Sequence, residues 1–219
     1  MAVATGVAQA VSSTAAGTVD VTDASFGGGT PVACILLSNV AATVAGGLAN
    51  ATPASQSIGF FDGTNYATMG WRHRHGQVLT DNRMVLNTTS LATLIRPTNS
   101  SSLEHQVTAA FAANKVTLTK SGTQNGAANM VAALFGGTDT LAQVGTVAAL
   151  TSIGGTVNIT LPWIPSIGFL IVGNGAFDGT VRNGTKLSLA VVTGVSNQNA
   201  VTLESPHGVL PVTLTERIG

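Results

Sequence analysis

Strand-length apolar stretches recur along this chain, with glycine-rich turns between them. "GTVDVT" at 17–22 alternates apolar and polar residues and predicts a strand with one wet face. "VACILLSN" at 32–39 is a continuous apolar run and predicts a strand covered on both faces. "SIGFFDGT" at 57–64 reads as a strand running into a turn, because Asp followed by Gly tolerates left-handed backbone. Further strands are predicted within 107–120, 129–137, 155–161, 167–174, 186–194 and 208–218. "WRHRH" at 71–75 predicts a strand with Arg72 and Arg74 on one face and Trp71, His73 and His75 on the other, closed by a turn at Gly76. The window 139–150 has helical spacing at Leu141, Val144 and Val147 with Asp139 as a cap, but Gly145 and its β-branched residues reduce the expectation to a turn. Residues 1–16 carry no strand signal and read as an extended arm.

The pattern repeats. "GTVDVT" at Gly17 returns as "GTVNIT" at Gly155, Pro31 with its apolar run as Pro165 with its own, Gly63 after "SIGFFD" as Gly194 after "LSLAVVT", and His75-Gly76 as His207-Gly208. The offsets are 138, 134, 131 and 132 residues, in one order along the chain. This predicts an N-terminal arm at 1–16, a complete β unit at 17–146, and a partial second copy at 147–219 packed on or completing the first. The fold expected is all-β: a jelly-roll-like, two-sheet antiparallel sandwich.

Composition changes the picture in one respect. The 219 residues include 9 Lys plus Arg against 9 Asp plus Glu, only 8% of the chain is charged, and Gly numbers 26. Mean hydropathy is +0.38. A chain this long buries a core unaided, but with zero net charge and an exterior of Ala, Val, Thr and Ser it lacks the repulsion that keeps soluble monomers apart, and association is expected. The charge balance offers no footprint for nucleic acid, no apolar run reaches the length of a membrane helix, and the N-terminus lacks the basic region of a secretory signal.

Candidate chemistry is sparse. Cys34 is the single cysteine and sits in an apolar run, a small buried hydrophobe and a poor nucleophile. His73 and His75 could share a metal ion from one strand face, but a third ligand is missing nearby, so no metal site is expected. The carboxylates are scattered, apart from Asp20 and Asp23 in a turn-like segment, and no GxSxG elbow occurs, so no catalytic residues and no cofactor are assigned. "FGGGT" at 26–30 and "FGGTD" at 135–139 lack the context of a phosphate cradle and read as turns. "FDGT" occurs at 61–64 and 177–180; Asp62 with Asn65, and Asp178 with Asn183, could bind a sugar or an ion from loops. Trp71, Arg72 and Arg74, with the low-charge arm from Ala2 to Ala15, are the residues expected to face partners.

"TVDVT", Phe26 and Pro31 before an apolar run, "SIGFFDGT", "WRHRHGQVLTDNR", "VTLTKSG" and "MVAALFGGTD" together resemble β-sandwich surface proteins encoded among the structural genes of tailed bacteriophages. The resemblance covers most of the chain and implies a non-enzymatic virion protein on the outside of the particle, made in the host cytoplasm. It implies capsid decoration or cement as the role, with itself, as a homotrimer, and the major capsid protein as partners. The alternative it implies is a lectin-like tail fibre or tail-tip module that binds a host-surface glycan.

Overall fold

In the computed structural model the described residues are 2–3, 7–9, 17–40, 54–73, 83–95, 103–121, 129–137, 140–147, 156, 158–173, 184–193, 198–206 and 217–218. They are strands and connections, with one short 3-10 turn at Ala24–Phe26 capped by Asp23, whose carboxylate accepts from Ser25 N at 2.9 Å. The expected all-β, antiparallel class is what the chain adopts.

The first sheet runs β1 (Ala2–Val3), β11 (Asn129–Gly136), β4 (Pro31–Val40), β5 (Ala54–Phe61), β6 (Tyr66–His73) and β7 (Arg83–Asn87), with β2 (Val7–Gln9) also on β11. The second runs β3 (Gly17–Thr22), β10 (Lys115–Ser121), β9 (Leu103–Ala112) and β8 (Ala92–Ile95). A third holds β12 (Gly168–Gly173), β13 (Gly184–Val192), β14 (Gln198–Pro206) and β15 (Arg217–Ile218).

The first two sheets face each other and share one core. Val21, Val116, Leu118 and Val107 of the second sheet meet Cys34, Leu36, Leu134 and Phe61 of the first. Strand pairing explains why these residues point inward together. Leu134 stands opposite Cys34, and Cys34 opposite Phe61; two residues along, Ala132 stands opposite Leu36 and Leu36 opposite Gly59. Successive side chains alternate between faces, so each such row lies on the inward face.

The order differs from a jelly roll, in which consecutive strands change sheet. Here β4 to β7 follow one another within the first sheet and β8 to β10 within the second, each consecutive pair antiparallel neighbours, with short turns joining β5 to β6 and β9 to β10. The segment 107–120, read as one strand, folds back on itself. Lys115 pairs with Ala112, leaving Ala113 and Asn114 as the turn. Asn114 takes φ 60°, a conformation that its short amide side chain tolerates, and its Oδ1 accepts from Gly28 N at 2.7 Å.

Three further differences concern strands. Residues 156 and 158–161, inside the predicted strand 155–161, form none. β7, β8 and β14 were not anticipated as strands; β8 is four residues long and buried, too short to show a period. The N-terminal arm supplies β1 and β2 to the edge of the first sheet at β11.

Candidate functional site

The loop after β5 positions the first candidate. Asp62 Oδ1 accepts from Thr64 N at 2.9 Å and Asn65 N at 2.6 Å, and its Oδ2 accepts from Asn65 Nδ2 at 3.1 Å. That oxygen also accepts from Val144 N at 2.8 Å, tying the irregular segment 140–147 to the turn. Burial pushes the carboxyl up, but the amides of Asn65, Val144 and Thr64 outweigh it and hold the group below the usual range. Both oxygens are therefore engaged within the chain, and Asp62 with Asn65, which the sequence offered as a pair that could bind a sugar or an ion, staples the turn. The second such loop, with Asp178 and Asn183, lies outside the described residues.

The charged strand divides as its period requires. Trp71 is half-buried on the outward face, opposite Gln56 and Met84. Arg72 points the other way and is fully buried, with Ser55 across from it on β5 and the buried Arg83 on β7. Arg72 was expected at an interface; it belongs instead to the interior of the sandwich, where the inward row of β6 carries it. Arg74 and His75, and the side chain of His73, lie outside the described residues.

A buried polar seam crosses the middle of the sandwich. Ser38 and Ser57 share a hydrogen bond at 2.8 Å, Thr93 N donates to Ser57 Oγ at 3.2 Å, Ser90 and Thr93 hydroxyls lie 2.9 Å apart, and Thr68 donates to Ser90 O. The seam exists because the chain from Ser90 to Thr93 crosses β5 and β6 where Gly59 and Gly70 offer no side chain. Serine and threonine there satisfy backbone groups that the crossing would otherwise strand. Sequence reading missed this seam, although small residues alternating at Ser55, Ser57 and Gly59 were its signal.

Cys34 is buried, and burial pushes its thiol up to about 12, consistent with a packing role. Tyr66 stacks on Phe61, with centroids 4.4 Å apart, and its hydroxyl donates to Ala109 O at 2.9 Å. On the surface, Asp20 pairs with Lys115 at 2.6 Å, and hydrogen bonds from Lys115 and Thr117 hold its carboxyl below the usual range. Among the described residues no three of His, Cys, Asp and Glu gather as metal ligands, and no helix is long and apolar enough to cross a membrane.

What stands out instead is apolar. Leu141, Val147, Ile159, Ile164 and Ile167 are exposed in segments without regular structure, and Phe169, Leu170 and Val172 are exposed on β12. Ile164 is 94% exposed. No charged residue occurs between Asp139 and Asp178. The third sheet touches the outward face of the first through Phe169, whose ring lies 6.2 Å from Phe60 and 6.4 Å from Phe135. Leu37, Val131 and Leu86 are exposed on that same outward face, in one cross-strand row with Ile58 and Met69. Ile58 and Met69 in the middle of that row are buried, so the exposed apolar surface concentrates on the 141–172 segment; apolar exposure of this kind marks association.

No known protein family, no curated protein and no solved structure matches the chain.

Proposed function

We propose that this chain is a non-enzymatic structural subunit on the exterior of a bacteriophage particle, a capsid decoration or cement protein. One observation carries the reading: an uncharged stretch from 140 to 177 whose described part leaves Leu141, Ile159, Ile164, Leu170 and Val172 in solvent beside a well-packed sandwich. Such surface has a purpose when a neighbour covers it. The resemblance of the turn-and-strand pattern to tailed-phage surface proteins supplies the setting.

The work done is mechanical. Each subunit buries apolar surface across joints of the shell and opposes the outward pressure of the packed genome. An interface of about 800 Å² per partner at ~25 cal/mol per Å² gives on the order of 20 kcal/mol of gross stabilisation. Association and ordering offset much of this, about 4–15 kcal/mol.

A receptor-binding tail module is the competing reading, and Asp62 does not favour it, since its oxygens are already engaged by Thr64, Asn65 and Val144.

Imaging of particles with this subunit labelled tests the proposal. Occupancy that follows the head lattice, with shells less resistant to heat when the subunit is omitted, is the expected result. Labelling confined to the tail supports the receptor module. Turnover of a polysaccharide that disappears when an Asp or His is replaced overturns the non-enzymatic reading.

A further inference from the structure

The third sheet exposes a face that the first sheet uses as its core. The internal repeat places Pro31 against Pro165, Gly63 against Gly194 and His75 against His207, at offsets of 134, 131 and 132 residues. In the first sheet Leu36 stands opposite Gly59, and Gly59 opposite Thr68. Moved by those offsets, the three positions are Leu170, Ala190 and Ala200. The third sheet pairs them in the same way, Leu170 opposite Ala190 and Ala190 opposite Ala200. The meander β12–β13–β14 therefore has the order and register of β4–β5–β6.

Side chains alternate between faces, so equivalent registers mean equivalent faces. Leu36 and Ser38 are buried at 0% and 5% under the second sheet, whereas their counterparts Leu170 and Val172 are 42% and 50% exposed. At the centre of the exposed face Val172 stands in place of Ser38 and Ala200 in place of Thr68, so two hydroxyls of the first sheet's seam have apolar counterparts there. Ala190 replaces Gly59, the glycine over which Leu91 crosses in contact with the backbone. A methyl group at that position forbids so close a crossing but suits a second sheet at the ordinary separation of about 10 Å.

Building on the reading of the chain as an assembling subunit, we infer that this face receives a second copy of the chain, the two third sheets packing face to face about a two-fold axis as each other's missing layer. The surface suits its own copy. Leu170, Val172, Ala190, Val192 and Ala200 form an uncharged centre, and the strand period places Lys186 and Glu204, opposite each other in the register, at one end of the same face, so a two-fold pairing brings equal numbers of both signs together. Strands about 4.8 Å apart with a rise of about 3.4 Å per residue give each copy roughly 500 Å² of face, less than the ~800 Å² of a standard interface. A face of this size fits a weak, concentration-dependent association rather than a permanent dimer.

Light scattering and sedimentation of the purified full chain from about 1 to 200 μM test this. A monomer–dimer equilibrium is expected, abolished in the double variant Leu170→Lys/Val172→Lys and kept in Leu37→Lys on the outward face of the first sheet. In case the double variant fails to fold, maleimide labelling of Leu170→Cys in the otherwise native chain gives a second reading. Its labelling slows as concentration rises, while Ile164→Cys labels rapidly throughout. A chain monomeric at every concentration, a dimer that survives both lysines, or a Leu170→Cys rate independent of concentration overturns the inference. Monomers that nonetheless occupy particles overturn it and leave the proposed function standing; dimers that never occupy particles do the reverse.

Discussion

The backbone carbonyl of Leu91 occupies the space that a Cβ on Gly59 would need. Here the chain entering β8 crosses β5 in direct backbone contact. Gly59→Ala must push the crossing chain away from the sheet and disturb the bond from Thr68 to Ser90. A loss of about 3 kcal/mol in denaturant unfolding is expected. Gly17→Ala, where nothing lies within 4 Å of the added carbon, is expected to change stability by less than about 0.5 kcal/mol.

Ser57 serves two partners, Ser38 and the Thr93 amide, both buried. Ser57→Ala leaves those groups without their acceptor or donor in the interior, at a cost of about 1–3 kcal/mol measured by denaturant titration. Ser38→Ala added to it costs less than the sum of the two single changes, because the Ser38 hydroxyl left stranded by the first change is then gone.

Asp62 gives the fold an acid-sensitive joint. Its carboxyl lies below the usual value in the folded chain, so its contribution is present above the unfolded pKa and is lost as pH falls through the folded one. Melting temperature is therefore expected to drop on acidification below about pH 4. In Asp62→Asn that part of the profile flattens. Hydrogen exchange at the Val144 amide, slow at neutral pH, is expected to accelerate in the same variant.

The thiol of Cys34, raised to about 12 by burial, is expected to resist disulfide reagents at neutral pH and to react only as the sandwich unfolds. Labelling kinetics across a denaturant series check this. A rate in native buffer comparable to that of a free thiol would show that the chain around Cys34 opens locally.

Much of the sandwich was legible along the chain. The alternation of "GTVDVT", the buried run after Pro31 and the turn at Asp62-Gly63 each name a local state, and β3, β4 and β5 follow them. The candidate site was less legible. Arg72 and Trp71 were correctly divided between opposite faces, yet the arginine was placed on the surface and is buried. Its period could not reveal that the inward row of β6, which begins beside Phe61 at Tyr66, ends at Ser55 and Arg83.

Local pattern by itself determined the all-β class, several of the turns and the uncharged stretch from 140 to 177. Tertiary structure alone decided which face of each strand is covered, that the Ser90–Thr93 crossing requires Gly59 and Gly70, and that Leu170 and Val172 lie exposed while Leu36 and Ser38 are buried. The reason is physical: a period of two states which residues share a face, whereas burial of that face depends on which distant sheet comes to lie over it.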